Sequence, residues 1–378
     1  MLEKIHTFNF PTSIRFGIGA ILELGPHLKN RGFVRPLLVT DSALVNLPLI
    51  TNILHDLEKI GVNPHVFSAI HKNPIKNDVL QGEIYYKKNN CDSIIGIGGG
   101  ASMDVARAIA LKINHSRDLF DYAEANGGDK FITEDIPYFV TVPTTSGTGS
   151  EVGRSAVISD DKTHQKIILF HPKLLARAVF ADPLLTIDLP PYVTAATGMD
   201  ALTHNIEAYL AKGFHPLCDG IALHGIKMIH ESLESAVNHP TLESRAKMMS
   251  ASLMGAVAFQ KGLGLIHSMA HALSTHKDLH HGLANSIMMP VGLSFNMSSV
   301  GDKIKCIEKH IGLSQPLSEY TRVLANNIGL PANLKSQGIT LADVETLAQL
   351  AFADGCHQCN EANVTESDFN ELFKKALN

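Results

Sequence analysis

The sequence predicts an α/β half followed by an all-helical half, on three observations. Short apolar runs alternate with helical patterns through the first half. The alternation stops at Asp182-Pro183. From Asp188-Leu189-Pro190-Pro191 onward nearly every segment has helical character. At 378 residues the chain is too long for one ordinary core. The change of character divides it into residues 1–183 and 184–378.

The elements follow in order. Residues 36–40 (PLLVT) read as a strand with Asp41 at its C-terminal end, and a helical pattern then runs to Gly61. Residues 63–70 read as a second strand and residues 78–89 as a helix. Residues 93–97 (SIIGI) are continuously apolar, as in a parallel strand covered on both faces. That run enters Gly98-Gly99-Gly100, after which Ser102 is placed to cap a helix reaching Lys112. Residues 138–142 form another strand, leading into Thr144–Ser150, and two further strand-like pieces surround Lys166 and Val179. Strand, helix, strand in this order implies a parallel sheet with right-handed crossovers. In the second half Pro191 suits a first helical turn, and residues 195–212, 217–237 and 244–259 read as helices.

Composition excludes several classes. A hydrophobic share of 45% against 18% charged residues predicts a packed chain, not a disordered one. The net charge of -5 carries no domain-scale basic excess, so no nucleic-acid partner is expected. No apolar run reaches the roughly 18 residues of a membrane span, and MLEKIHTFNF lacks a basic head followed by an apolar core; a cytoplasmic setting is expected. Five scattered cysteines argue against a disulfide framework. The single CxxC, Cys356-His357-Gln358-Cys359, has neither the second pair of a zinc site nor the βαβ context of a redox motif.

Two loops point to a phosphate-bearing ligand. In SIIGIGGGASMDVAR (residues 93–107) a strand enters a glycine run and a helix leaves it, and Gly96, Gly98 and Ala101 fit GxGxxA. Glycines admit close backbone approach, and a helix N-terminus offers N–H groups and partial positive charge. The acidic ribose partner usual about 20 residues later is not evident. Asp41 supplies a carboxylate from an earlier strand end, which would accept from ribose hydroxyls and repel a 2′-phosphate, favouring NAD over NADP. The second loop, TTSGTGS (144–150), is dense in hydroxyls and glycines and also follows a strand.

A histidine and carboxylate cluster points to a metal. Asp200 and His204 are four apart on a helix, as are His267 and His271, and His280-His281-Gly282 opens another helical run. One carboxylate and three histidines can hold a divalent first-row metal, zinc and ferrous iron alike.

With these residues in hand, the chain resembles the iron-containing alcohol dehydrogenase family. The likeness runs through FNFPTSIRFGIG (8–19), Asp41, Asn73-Pro74, Gly98-Gly99-Gly100 with Asp104, TTSGTGSE (144–151), Asp182-Pro183, GMDALTH (198–204), GLIHSMAH (264–271) and HGLAN (281–285). The resemblance implies an N-terminal dinucleotide-binding domain, a helical C-terminal domain and an active site in the cleft between them, the architecture shared with dehydroquinate synthase. It implies metal ligands at Asp200, His204, His267 and His281, holding Fe2+ or Zn2+. It implies a proton-relay role for His271 close to substrate and nicotinamide. It implies NAD contacts at Asp41, Asn73, Gly99, Gly100, Ser102, Thr144, Thr145, Thr148 and Lys166. The expected activity is hydride transfer between NAD and a small primary alcohol, diol or aldehyde. A homodimer or larger homo-oligomer is a family expectation.

Some positions depart from the family pattern. Ala101-Ser102 stand where relatives often have Ser-Pro, Ser155 replaces a cofactor-contacting Asn of several relatives, and Asn360-Glu361-Ala362 replaces a common Asn-Pro-Arg. His276-Lys277-Asp278-Leu279-His280 replaces a common Phe-Tyr-Asp-Leu-Pro, which leaves the substrate pocket open and makes His280 a rival to His281. The competing readings are a glycerol, polyol or hydroxy-acid dehydrogenase of the same superfamily, a dehydroquinate synthase-like lyase, a metal-dependent hydrolase and a non-catalytic sensor.

Overall fold

The computed structural model describes residues 10, 12–163 and 165–378. The start of the FNFPTSIRFGIG likeness, Phe8, Asn9 and Pro11, lies outside them. Two compact units emerge, one over Pro11–Thr145 and Ser150–Thr186, the other over Ser146–Gly149 and Ile187–Asn378. The loop after residue 145 therefore belongs, over four residues, to the helical unit.

In the first unit the chain runs β1 (Ser13–Phe16), α1 (Leu24–Lys29), β2 (Pro36–Val39), α2 (Pro48–Lys59), β3 (His65–Phe67), α3 (Lys76–Lys88), β4 (Ser93–Gly98), α4 (Gly100–Asn114), β5 (Tyr138–Pro143), β6 (Ser155–Ser159), β7 (Lys166–Phe170) and β8 (Ala178–Ala181). Six of these strands form a parallel sheet in the order β1-β8-β5-β4-β2-β3. The near-continuous apolar character of β2, β4 and β8 follows from burial on both faces. Alternate residues serve alternate sides. Leu37, Val39, Ile94 and Phe139 pack with Val79, Val105 and Ile109. Leu38, Ile95, Ile97 and Val140 pack with Leu24, Ile50 and Leu57.

The structure differs from the sequence reading in three places. α4 begins at Gly100 with Gly99 at its N-cap, and no side chain caps it. Ser102 is buried inside the first turn, not at the cap. The piece around Lys166 pairs antiparallel with β6 in a separate two-stranded sheet, because a tight turn at residues 160–163 folds it straight back. β1 was not legible at all: its residues are largely exposed, so it shows no apolar run.

Fully buried Arg107 on α4 ties this unit together. Its guanidinium donates to Asp104 Oδ1 at 2.9 Å, Ser150 Oγ at 3.0 Å and the carbonyls of Ser155 (2.6 Å) and Leu174 (3.1 Å). One side chain thus fixes the helix against the turn after β5 and the hairpin. Asp104 spends its other oxygen on the Val157 amide, 3.1 Å away.

The second unit comprises α5 (Pro191–Leu210), α6 (Pro216–Asn238), α7 (Leu242–Ala258), α8 (Leu265–Lys277), α9 (His281–His310), α10 (Leu317–Asn327), α11 (Val344–Ala353) and α12 (Glu366–Ala376). Pro191 occupies the first turn of α5, as its spacing predicts. These helices share one apolar core. α9 carries Pro290 and is kinked at Val300. Asn360, at the start of the segment that departs from the family's Asn-Pro-Arg, is buried in a reciprocal amide pair with Asn296 at 2.8 and 3.0 Å. No single helix among the described residues is long and apolar enough to cross a membrane.

Glu151, beside the Arg107 network, gives the first unit a pH signature. Its carboxyl is 2% exposed, and Oε1 has no hydrogen-bond partner among the described residues. Burial pushes its pKa up to about 7, against the pull of its own backbone amide and Arg107. A raised folded-state value stabilises fully below the unfolded value near 4.5 and is lost as pH rises through about 7. Unfolding followed by denaturant titration between about pH 5 and 8 should therefore show stability falling by up to about 3 kcal/mol. Glu151→Gln should flatten that decline; an unchanged slope would assign it elsewhere.

Candidate metal centre and cofactor site

Three helices bring four donors together inside the second unit. Asp200 and His204 sit one turn apart on α5, His267 lies in the first turn of α8, and His281 is the first residue of α9. Their donor atoms all lie within 4.8 Å of one another. Asp200 Oδ1 stands 3.9 Å from His204 Nδ1, 3.9 Å from His267 Nε2 and 3.3 Å from His281 Nε2. The sequence reading named these four, and the structure places them in one cluster. His280 takes the N-cap position of α9 and is not part of it.

The cluster is built for an ion. Asp200, His204 and His267 are buried, and His281 is about a quarter exposed, which leaves one side open. Burial pushes the His204 pKa down to about 4, despite Asp200, so the ring is neutral and able to ligate. Its Nδ1 is buried with no hydrogen-bond partner, and the ring hydrogen-bonds to the Gly147 backbone. An orphaned nitrogen facing a buried carboxylate is what a bound divalent cation would satisfy. Without a thiolate the set suits iron as well as zinc.

A supporting shell was not read from the sequence. Glu207, one turn beyond His204, is 2% exposed. Its Oε2 accepts from His267 Nδ1 at 2.6 Å, and Oε1 from the Ile266 amide at 2.7 Å. It therefore caps α8 and aims His267 Nε2 at the cluster, the carboxylate–histidine arrangement of metal sites. The 200, 204, 207 spacing on one helix face carried that signal. Asn285, one turn after His281, donates to Asp200 Oδ1 at 2.8 Å. Gly282 lets the start of α9 approach α5: a Cβ there would lie 2.1 Å from the Ala196 carbonyl oxygen.

His271 lies one turn after His267, its ring 5.2 Å from that of His281. Its Nδ1 is 2.8 Å from Asp354 Oδ2. Asp354 also accepts from Ser268 Oγ at 2.8 Å and the Cys356 amide at 2.9 Å. Although burial opposes it, His271 and these hydrogen bonds hold the Asp354 carboxyl well below the usual range. Sequence reasoning missed Asp354, which lies 83 residues away on the chain. His276, in the atypical segment, pairs instead with Asp343 at 2.8 Å.

Most of the expected cofactor residues lie in the first unit, with Asp41, Gly99, Gly100, Ser102, Thr144 and Thr145 at the ends of β2, β4 and β5. The chain passes from β2 to β3 on one side and from β3 back across to β4 on the other. The crevice beyond β2 and β4 is thus a topological switch point, where open α/β sheets bind ligands. Asp41 follows β2, and its Oδ1 accepts from its own turn, Ala43 at 2.9 Å and Leu44 at 3.0 Å. Its Oδ2 faces Ser102 Oγ at 3.5 Å. Gly98 has φ +143°, and a Cβ on it would fall 2.5 Å from that Oγ. Gly99 and Gly100 open α4, whose uncapped N–H groups suit an anion. The Thr144 amide donates to the Gly98 carbonyl at 3.0 Å, and Thr145 lies against Gly99. Asn73 sits in the loop before α3, held by Asp78 through the His71 and Ile75 amides. Lys166 opens β7, whose partner β6 docks on that loop, the Ser159 amide donating to the Pro74 carbonyl. Thr148 belongs to the four-residue stretch of the helical unit.

Comparison with known proteins agrees across both units. Residues 11–183 match the model of the iron-containing alcohol dehydrogenases, and residues 194–377 that of the C-terminal part of the same family. The chain is 35% identical to a 4-hydroxybutyrate dehydrogenase of Cupriavidus necator, over 97% of this chain and 98% of the relative. It is 35% identical to an NAD-dependent methanol dehydrogenase of Bacillus methanolicus, over 98% and 99%. The crystal structure of a 1,3-propanediol oxidoreductase superposes with a TM-score of 0.94 at 31% identity, covering 99% of this chain and 100% of that one.

Removing the carboxylate behind His267 should loosen the metal without removing a ligand. Glu207→Gln should weaken metal affinity on the order of 10–100-fold in chelator competition. Unchanged affinity would reduce Glu207 to a helix cap.

Proposed function

Because the chain belongs to the iron-containing alcohol dehydrogenase family, and so is an alcohol oxidoreductase working with NAD and ferrous iron, we propose that it interconverts a small primary alcohol or diol with its aldehyde through the residues above. The carrying observation is the thiolate-free set Asp200, His204, His267 and His281, with Glu207 behind it. Iron held there by Asp200, His204, His267 and His281 would supply Lewis acidity, and NAD would supply the hydride carrier.

The remaining steps fall to the protein. Asp354 accepts a hydrogen bond from His271 Nδ1–H, which leaves Nε2 as the basic nitrogen to take the alcohol proton and return it in the reverse direction. The uncapped start of α4, with Gly99, Gly100 and Ser102, would receive the pyrophosphate. Asp41 accepts from a ribose hydroxyl and disfavours a 2′-phosphate. Thr144, Thr145 and Thr148 donate hydroxyls, and Asn73 and Lys166 complete the cofactor contacts. In this reading residues 1–183 are the cofactor domain and 184–378 the metal domain, with Ser146–Gly149 lent to the latter. The family likeness supports a cytoplasmic homodimer or larger homo-oligomer. The named relatives act on a hydroxy acid, methanol and a diol, which supports a small substrate with a terminal carbinol.

Metal-stripped protein reloaded anaerobically with ferrous iron should oxidise NADH with short aldehydes and prefer it to NADPH. Metal-independent turnover, or none with NADH bound, would overturn the assignment. Asp200→Ala should lose both metal and activity. His271→Ala should retain metal and lose turnover on the order of 10²-fold or more; an unaltered pH profile would remove His271 from proton transfer.

A further inference from the structure

A second set of donors lies beside the first. His271, Asp354 and Cys356 come from α8, the end of α11 and a short turn at Cys356–Cys359. Their donor atoms lie within 4.8 Å of one another. The three residues are partly exposed, His271 and Asp354 through their side chains, so an ion can approach the group. Asp354 is already oriented by Ser268 Oγ and the Cys356 amide, and it stays ionised. The ring of His271 lies 6.0 Å from that of His267 and 5.2 Å from that of His281, so the second set adjoins the catalytic one without sharing a residue.

The two sets differ in chemistry. The first has no sulfur donor, whereas the second has one imidazole, one carboxylate and one thiol. Three protein ligands with an open fourth position are the pattern of an accessible zinc site, and a thiolate selects zinc over ferrous iron. We propose that His271, Asp354 and Cys356 form a second, inhibitory site for a thiophilic divalent cation such as zinc, separate from the catalytic metal.

Binding is balanced as follows. The ion forms bonds to the Cys356 sulfur, an Asp354 oxygen and His271 Nδ1, the nitrogen that now faces Asp354. The thiol proton leaves to solvent, and the ring proton moves from Nδ1 to Nε2. Burial holds the thiol well above its ordinary range, so the ion must displace a tightly held proton, and this site fills after the first. With its proton on Nε2 the ring can no longer accept one from substrate. Inhibition therefore rests on the relay role given to His271; the existence of the site does not.

Cobalt separates the two sites by colour. Titration of metal-free protein with Co2+ should first fill the thiolate-free site, with no near-ultraviolet sulfur-to-cobalt charge-transfer band. A second equivalent should then bring that band in. Cys356→Ser should abolish the band and the second equivalent while keeping the first, and Cys359→Ser should leave both. Zinc in excess should inhibit the iron-loaded enzyme at least tenfold more strongly in the parent protein than in Cys356→Ser. A single equivalent with no band, or a band that survives Cys356→Ser or disappears in Cys359→Ser, would overturn the site. A band with equal zinc inhibition in parent and variant would keep the site and remove its inhibitory role, and with it the stated consequence for His271.

Discussion

Two carboxylates buried on one face of one apolar helix set the arrangement of the helical unit. Asp200 and Glu207 are each 2% exposed on α5. An unpaired buried carboxylate costs several kcal/mol, so both must be answered by neighbouring donors. Glu207 is answered by the first turn of α8, through two amides and the ring of His267. Asp200 is answered by Asn285 of α9 and faced by three imidazoles. Both helix starts must therefore lie on α5, and Gly282 permits the closer of these approaches.

The first unit solves a different problem. Its sheet alternates apolar side chains of β2 and β4 between two faces, and a buried ion pair, Arg107 with Asp104, lies on α4 against the hairpin. Asp41, Gly99, Gly100 and Ser102 lie at the strand ends, where the topology leaves a crevice. Gly98 shows the economy of this: its absent Cβ leaves Ser102 room to face Asp41. The same serine sits inside the first turn and does not cap α4, so no side chain caps the helix start.

Much of this was legible in sequence because it is local. Continuous apolar runs marked β2, β4 and β5, glycine runs marked the turns, and i,i+4 spacing put Asp200 with His204 and His267 with His271. What escaped was either exposed or distant. β1 is an edge strand with no apolar signature, and the β6–β7 hairpin is announced only by its turn. Asp354 pairs with His271 across 83 residues, and periodicity carries no information at that range. Glu207 is the instructive intermediate case. Its position on the face of Asp200 and His204 was visible, but a buried glutamate acquires a role only once α8 is seen to begin on top of it.

The same device occurs twice on α8, with different consequences. His267 gives Nδ1 to Glu207 and His271 gives Nδ1 to Asp354, at 2.6 and 2.8 Å. In each case a carboxylate sets the tautomer and leaves Nε2 as the working nitrogen. One helical turn then decides what that nitrogen does. His267 is buried and its Nε2 faces Asp200 within the four-donor cluster, which places its lone pair for a metal. His271 lies one turn farther along, where its side chain is 15% exposed, so its lone pair remains available for a proton. Moving either carboxylate to the other nitrogen would reverse the tautomer and disable its ring, although every side chain would still be present. The constraint on this site is accordingly one of hydrogen-bond direction as much as of residue identity, and it falls on Glu207 and Asp354, neither of which belongs to the set Asp200, His204, His267 and His281.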